Sequence, residues 1–197
     1  MKPTVRMILF VLVMAVITSG ILLGVEALTA ERIQNNQDAK LKIAILESHG
    51  IDYTLATINE TFDQEIDIVI SGDWTFYVNP DTNAVSFAIS GGGVWGPIEG
   101  ILTLEADFET ILSVKILQQE ETPGLGGVIA ESQYLATFVG KKMLPQFEIN
   151  KDTAPNLPNE IDSIVGATNT SKRFQDIMND DYSQARLAWL LQSQLGV

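Results

Sequence analysis

Residues Asp162–Ser171 read DSIVGATNTS and place two small residues, Gly166 and Ala167, directly before a threonine at a predicted helix start. The small residues leave room for a bulky planar group to approach the backbone. Thr168 presents a hydroxyl, and the N–H groups of the following turn would face an anion with the positive end of the helix dipole. A hydroxyl beside an anion-binding helix start is suited to carry a phosphoester. The alternative is an ordinary helix-capping loop, since Thr and Gly are common at helix starts.

This segment resembles the flavinylation motif of the FMN-binding domain family, which reads Asp-x-x-Ser/Thr-Gly-Ala-Thr. The matching residues are Asp162, Gly166, Ala167 and Thr168. Val165 stands where the family has serine or threonine. In the family the last threonine carries FMN through a phosphoester bond, so the resemblance implies covalent FMN at Thr168. It also places Thr170 in the cofactor site, together with the four matching residues.

A second segment, Glu121–Gly127, reads ETPGLGG. Its proline removes a backbone donor, and its glycines permit conformations that a Cβ would forbid. A Pro-Gly turn accounts for Pro123 and Gly124 but not for the whole string. The string resembles the signature of two related members of the family, the G subunit of the Rnf complex and the C subunit of the sodium-pumping NADH:quinone reductase. The resemblance implies cofactor contacts from five residues: Glu121, Thr122, Gly124, Leu125 and Gly126.

A third segment, Gly93–Ile98, reads GVWGPI and resembles a tryptophan-bearing turn of the same family. Taken by itself, the segment is typical of a glycine-rich turn with a buried tryptophan. The resemblance implies instead that Trp95 belongs to the cofactor site. The three segments occur in the family's order, and together they favour the flavin interpretation.

A membrane helix is predicted near the N-terminus, where Met7–Val25 is an uninterrupted run of uncharged, mostly apolar residues. At about 1.5 Å per residue, a helix of this length matches a hydrocarbon core of roughly 30 Å. Lys2 and Arg6 precede the run and acidic residues follow it, so the positive-inside tendency puts the N-terminus in the cytoplasm. A cleaved signal peptide is the alternative, although its apolar region usually has only about 7–15 residues.

The composition excludes several function classes. The net charge of −13 argues against binding to nucleic-acid phosphates, which requires clustered Lys and Arg. The chain has no cysteine and a single histidine, His49, so disulfides, cysteine-ligated iron–sulfur centres and multi-histidine metal sites are excluded. We expect no metal site, and no residue pattern indicates a catalytic acid, base or nucleophile. A redox role would therefore require an organic cofactor.

The pattern of short β-rich runs predicts an α+β fold with a mainly antiparallel sheet and flanking helices. The predicted strands cover residues 66–70, 74–78, 84–89, 100–105, 111–117 and 146–150. The predicted helices cover residues 31–48, 132–141, 172–178 and 183–194, with a proline-bearing connection at 156–159. We expect a division into a cytoplasmic N-terminus (1–6), a transmembrane helix (7–28), a helical connection (29–65) and one extracytoplasmic FMN-binding domain (66–197).

The resemblance implies a single-pass subunit of the inner (plasma) membrane that transfers electrons within an ion-translocating redox complex, with FMN as its cofactor. The implied partners are the other subunits of that complex, membrane lipid around residues 7–28, and a transient flavin transferase. Such a chain would be a redox subunit of a translocase rather than an enzyme by itself. No nucleic-acid partner is expected.

The choice between the two resembled complexes depends on small features. The short chain and the stretch Ala27–Ile33 favour an Rnf-type ferredoxin:NAD oxidoreductase, which we take as the first expectation. The stretch Gly93–Trp95 and the pair Gly126–Gly127 favour the sodium-pumping quinone reductase, which is the alternative. An alternative from another class is a flavin-free, membrane-tethered scaffold domain, in which Thr168 only caps a helix.

Overall fold

The computed structural model describes residues 2–150 and 156–194. The predicted segments 1–6 and 66–197 therefore include a few residues outside the described ones. The chain divides into two units, Met1–Lys40 and Leu41–Val197. Helix α1 covers Pro3–Ser48, so its residues up to Lys40 belong to the first unit and the remainder to the second.

From Pro3 onward the first unit is helical, and its apolar part is the run Met7–Val25. Its most apolar window has a mean hydropathy of 2.8, and the helix is long and apolar enough to cross a membrane by length and composition. Its large hydrophobic side chains, from Val5 to Leu28, are exposed. An apolar surface of this extent on all sides of a helix is typical of a segment that contacts lipid or another helix.

The C-terminal end of α1 agrees with the predicted stop. The helix ends at Ser48, and Gly50 adopts a positive φ of 68°, a conformation that glycine reaches without strain. The N–H groups of Gly50 and Ile51 then bond back to the carbonyls of Glu47 and Leu46. A short helix α2, Ile58–Glu65, follows.

The second unit is built on a five-stranded antiparallel meander. Its strands, in spatial and chain order, are β1 (Asp67–Ser71), β2 (Trp74–Val78), β3 (Val85–Gly92), β4 (Pro97–Leu104) and β5 (Ile111–Gln118). The five strands predicted for this region are confirmed, as is the α+β class. Strands β3 and β4 are longer than predicted, because they pair as far as Gly92 and Pro97. The segment Gly93–Gly96 is thereby the tip of a hairpin.

Both faces of this sheet are covered. On one face Phe76, Phe87 and Leu102 belong to a large core that also contains Phe174 and Met178 of the last helix. On the other face a second core cluster joins the end of α1 and helix α2, with Ile45, Leu46, Phe62 and Ile101 as members. Each fully buried large side chain contributes about 1.5–3 kcal/mol. Burial on two faces explains why the apolar residues of β4 do not simply alternate with polar ones.

The last helix, α4, is continuous from Thr168 to Gln194. The predicted division into helices over 172–178 and 183–194 is therefore wrong. Among the residues in between, Asn179, Asp180 and Asp181 have low helix propensity. Tertiary hydrogen bonds compensate for it: Asn179 binds the backbone of Phe147, and Asp181 accepts a bond from the N–H of Ser90 at 2.7 Å.

The predicted helix over 132–141 is wrong in extent. Helix α3 covers only Ser132–Leu135 and is followed by a 3₁₀ turn, Ala136–Phe138. The chain then turns at Gly140, whose N–H bonds to the carbonyl of Ile111 and so joins the edge of the sheet instead of continuing the helix. Another 3₁₀ turn, Gly126–Ala130, precedes α3.

A short parallel pair completes the domain. Strand β6 (Glu148–Asn150) confirms the strand predicted for 146–150 and pairs with β7 (Glu160–Asp162). Strand β7 was not predicted, because three residues are too few to produce a recognisable alternation. It leads directly into the segment before α4.

Candidate functional site

A cavity of ≈ 420 Å³ lies where the tip of the β3–β4 hairpin, the Pro-Gly loop and the first turn of α4 meet. We call it the Thr168 cavity, and its volume falls within the range of roughly 300–1,000 Å³ for ligand pockets. Its lining residues are Val94, Trp95, Glu121, Thr122, Leu125, Gly126, Gly166, Ala167, Thr168, Asn169 and Thr170. The structure thus brings together nine of the predicted site residues, from all three sequence segments.

The first turn of α4 forms because the preceding loop folds back on it. Gly166 has a φ of +82°, and a Cβ at this position would lie 3.2 Å from Cδ2 of Leu125, so glycine suits both the turn and the space. The N–H of Ala167 bonds to the carbonyl of Ile164, and the N–H of Ile164 bonds to Oγ of Ser171 at 3.1 Å. These bonds fix the loop against the helix start.

Thr168 is the first residue of α4, and its side chain is exposed on the cavity. The first N–H groups of a helix have no partner within the helix, and they carry the positive end of its dipole. The exposed lysine and arginine that follow, Lys172 and Arg173, do not line the cavity. The backbone of α4 is therefore the main source of positive potential there, and the arrangement suits a phosphate beside a free hydroxyl.

Glu121 is buried at the back of the cavity, with 4% of its surface exposed. Its Oε1 accepts hydrogen bonds from the N–H groups of Val94 at 2.6 Å and Trp95 at 3.2 Å. Its Oε2 accepts a bond from the hydroxyl of Thr170 at 2.7 Å. Glu121 and Thr170, both predicted to contact the cofactor, are thus hydrogen-bonded to each other.

Trp95 differs from the expectation of a buried tryptophan in a turn. The turn is present, but the indole is 72% exposed at the mouth of the cavity, so the burial prediction is wrong. The reason is that the backbone of the hairpin tip, not its side chain, is held by Glu121. Leu125 is also largely exposed beside the cavity. The mouth therefore presents apolar surface that a planar ring system can contact.

Two predicted residues lie apart from the cavity lining. Asp162 is in β7, and with Val165 it lines a different cavity, of ≈ 330 Å³, which also includes Tyr134. Burial raises the pKa of Tyr134, whose hydroxyl donates to the carbonyl of Asp162 at 3.3 Å. Gly124 does not line the Thr168 cavity; with a φ of +71° it shapes the Pro-Gly loop.

Two lining residues, Val94 and Asn169, were missed by the sequence reasoning. Each is adjacent in sequence to a residue that was identified. Only their place beside Trp95 and Thr168 carried a signal.

A larger cavity, of ≈ 490 Å³, lies along the middle of α4, and we call it the Asn179 cavity. Its lining residues are Met143, Leu144, Pro145, Gln146, Asn179, Asp180, Tyr182, Ser183, Arg186 and Leu187. Asn179 uses its side-chain amide for the backbone of Phe147, and the hydroxyl of Tyr182 donates to the carbonyl of Phe108 at 3.0 Å. Burial raises the pKa of Tyr182 to about 12.

Part of the chain matches a known protein family. Residues 93–183 match the FMN-binding domain family, a range that includes the hairpin tip, the Pro-Gly loop and the Thr168 segment. This part of the chain therefore matches the FMN-binding domain family, and the predicted resemblance is confirmed.

The relatives of this chain include a particular redox protein, the C subunit of the Na(+)-translocating NADH-quinone reductase. The chain is 37% identical over 94 residues to that protein from Chlamydia caviae, covering 47% of this chain and 30% of the relative. It is 28% identical over 167 residues to the protein of the same name from Yersinia pestis, covering 82% of this chain and 59% of the relative. The matched region thus spans less than two thirds of the length of either relative.

Two crystal structures share the fold. The C subunit of the Na(+)-translocating NADH-quinone reductase from Parabacteroides distasonis superposes with a TM-score of 0.62 at 23% identity, over 75% of this chain and 90% of that one. NqrC from Shewanella oneidensis superposes with a TM-score of 0.66 at 16% identity, over 76% and 93% of the two chains. At these identities the likeness establishes the fold.

Proposed function

We propose that this chain is a membrane-anchored electron-transfer subunit that carries FMN covalently on Thr168. The observation that carries the proposal is the position of Thr168: its exposed hydroxyl is at the first residue of α4, on a cavity that gathers the three family segments. A phosphoester at this oxygen would have its remaining phosphate oxygens beside the unpaired N–H groups of the helix start.

The residues of the cavity fit FMN in their chemistry. The helix start supplies donors for a phosphate, Thr122 and Asn169 add polar groups, and Trp95 and Leu125 supply apolar surface for a ring system. FMN would supply the redox chemistry, and the protein would hold and orient it. Covalent attachment would retain the cofactor whatever its free concentration, which matters for a domain outside the cytoplasm.

Attachment is assigned to a separate flavin transferase that uses FAD, as in the resembled family. In that step a bond forms between Oγ of Thr168 and the phosphorus of the FMN moiety, and the pyrophosphate bond of FAD breaks. AMP leaves, and the hydroxyl proton is released. The exposure of Thr168 supports this assignment, because a transferase must reach the hydroxyl.

The complex that we propose is of the sodium-translocating NADH-quinone reductase type. The relatives described above bear that name, and the stretches Gly93–Trp95 and Gly126–Gly127 favour it as well. We accordingly give it precedence over the Rnf-type assignment, which stays an untested prediction. The apolar part of α1 would anchor the chain in the plasma membrane, with Lys2 and Arg6 on the cytoplasmic side and the flavin domain outside.

Intact-mass measurement tests the covalent flavin. The full chain is expressed with and without a flavin transferase, as wild type, Thr168→Ala and Thr168→Ser. We expect the mass of one FMN on the wild type only when the transferase is present, none on T168A, and retained modification on T168S, which keeps a hydroxyl. Ser132→Ala is the matched control, since it removes an exposed hydroxyl at the first residue of another helix, α3, away from the Thr168 cavity, and it should be modified like the wild type.

Two results would contradict the proposal. A transferase-exposed wild-type chain without added mass would favour the flavin-free scaffold, and modification that survives in T168A would place the flavin on another residue. Identification of the proteins that co-purify with the tagged chain then distinguishes the two complexes. Quinone reductase subunits would support our assignment, and Rnf subunits would reverse it.

A further inference from the structure

We infer that Glu121 is a positioning residue, which builds the Thr168 cavity by tying the hairpin tip to the start of α4 and acts on the cofactor only through them. The inference rests on the proposed function in one respect, namely that the cavity holds the flavin. We call the hydrogen bonds of Glu121 to the hairpin tip and to α4 the tie. They are present in the protein without cofactor, so they are testable there.

The first support is that one carboxylate joins segments that are far apart in the chain. Oε1 binds the N–H groups of Val94 and Trp95, which are 27 and 26 residues earlier, and Oε2 binds the hydroxyl of Thr170, which is 49 residues later. The pairing of β4 with β5, which ends at Glu99 and Gln118, brings Glu121 near the hairpin tip. The carboxylate then links the Trp95 turn to the start of α4, which lies outside the sheet.

The second support is the space around the carboxylate. A Cβ at Gly93 would lie 2.5 Å from Oε1, and a Cβ at Gly126 would lie 2.6 Å from Oε2. Contacts this short do not occur, so both positions have room for glycine and for no larger residue without a shift. Glu121 thus contributes to the need for glycine at both positions, together with the carbonyl of Gly96, 2.8 Å from the Gly93 position, and the hydroxyl of Thr170, 2.6 Å from the Gly126 position.

The third support is electrostatic. The side chain of Glu121 is buried, and a buried carboxylate is tolerated when hydrogen-bond donors satisfy its oxygens. Its described donors are two backbone N–H groups and one hydroxyl, with no lysine or arginine among them. Oε1 and Oε2 are thus both engaged within the protein, and the position near the helix start is favourable for a negative charge.

Hydrogen exchange in the full-length chain in detergent, before flavin transfer, tests the tie directly. In Glu121→Ala we expect the amides of Val94 and Trp95 to exchange faster by about tenfold or more, since each loses a bond to a charged acceptor. In Glu121→Gln we expect a change within about threefold, because the amide oxygen accepts the same two bonds and the amide nitrogen can donate to Thr170. Flavin transfer should slow in E121A and be largely restored in E121Q.

Glu120→Ala is the matched control. Glu120 is the preceding acidic residue; it is exposed, packs against the hairpin tip at Gly96, and has no hydrogen bond among the described contacts. We expect its removal to leave the exchange of the Val94 and Trp95 amides within about threefold of wild type.

Thr170→Val keeps the proposal falsifiable if E121A does not fold. It removes only the bond from the helix to Oε2, so we expect slower flavin transfer while the Val94 and Trp95 amides stay protected. Unchanged exchange of these amides in folded E121A, loss of protection in E121Q as large as in E121A, or unchanged flavin transfer in T170V would each overturn the inference. If no variant and no wild-type chain accepts flavin but E121A exchanges as expected, the tie stands and the proposed function fails.

Discussion

The Thr168 cavity and the Asn179 cavity both border α4, and they differ in whether their polar groups are already hydrogen-bonded within the protein. The Asn179 cavity is the larger, ≈ 490 Å³ against ≈ 420 Å³. Its Asn179 and Tyr182 side chains are already bonded to the protein backbone. The Thr168 cavity instead meets the start of a helix, where backbone donors and the hydroxyls of Thr122 and Thr168 are available. The donors available at a helix start, rather than the volume, are therefore the reason for proposing the Thr168 cavity as the site of an anionic cofactor.

Gly126→Ala should have the largest effect, because the added Cβ would disturb the hydrogen bonds of Glu121 that shape the Thr168 cavity. The new Cβ would lie 2.6 Å from both Oε2 of Glu121 and Oγ1 of Thr170, and one of them must move. We expect a loss of about 1–3 kcal/mol in the free energy of unfolding and a strong fall in covalent flavin. Urea unfolding and ultraviolet in-gel fluorescence measure the two effects.

Gly127→Ala, at the neighbouring position, is the control for that substitution. Its Cβ would lie 3.2 Å from the carbonyl of Thr122, a tight contact that a small shift relieves. We expect a smaller loss of stability than for G126A and flavin transfer close to wild type. Equal losses in the two variants would show that the loop is generally intolerant and that the contact with Glu121 has no special weight.

Tyr182→Phe should have an intermediate effect that is confined to the Asn179 cavity. The variant loses the bond to the carbonyl of Phe108, which costs about 1 kcal/mol near neutral pH. Burial raises the pKa of Tyr182 to about 12 in the folded chain, against about 10 when unfolded. Its contribution is therefore complete below about pH 10 and is lost as the pH rises through about 12.

Alkaline urea titration of the unmodified chain checks this sign. The wild type should lose stability between about pH 10 and about pH 12 more steeply than Y182F. Covalent flavin, measured at neutral pH, should be the same in both chains. A large loss of covalent flavin in Y182F would show that the Asn179 cavity also affects flavin attachment, contrary to the expected difference between the two cavities.

Val165→Thr should have the smallest effect, although it restores the residue type of the family motif. Val165 is 80% exposed and lines the cavity of Asp162 and Tyr134, not the Thr168 cavity. We expect a rate of flavin transfer within about twofold of wild type, the size of effect usual for an exposed position. The initial rate of appearance of in-gel fluorescence measures it. A much faster reaction in V165T would mean that the transferase contacts this side chain directly.

Prediction and structure agree or differ according to the range of the interactions involved. The meander from β1 to β5 was predicted well, because alternating β-rich runs separated by turn residues are local signals. Helix α4 was predicted as two pieces, since its polar middle depends on Phe147 and Ser90 for support. Helix 132–141 was predicted too long, since the edge of the sheet captures Gly140.

The candidate site shows the same division. Residues near Thr168 and in the Pro-Gly loop were identified from their motifs, and the structure gathers nine of the predicted residues around one cavity. The roles of these nine residues could not be predicted, because no motif indicates that Glu121 would bind Thr170 or that Trp95 would be exposed. Asp162 was included through its motif position, and its side chain lies elsewhere.

By itself, the sequence determined the apolar N-terminal helix, the order of the strands, and the small residues that precede a threonine at a helix start. These are patterns of neighbours, in which each residue restricts the backbone beside it. Only the tertiary structure decided that a buried carboxylate would join the hairpin tip to α4, and that this junction would leave the hydroxyl of Thr168 on the cavity. Such bonds connect residues tens of positions apart, and their energies depend on burial that no local pattern specifies.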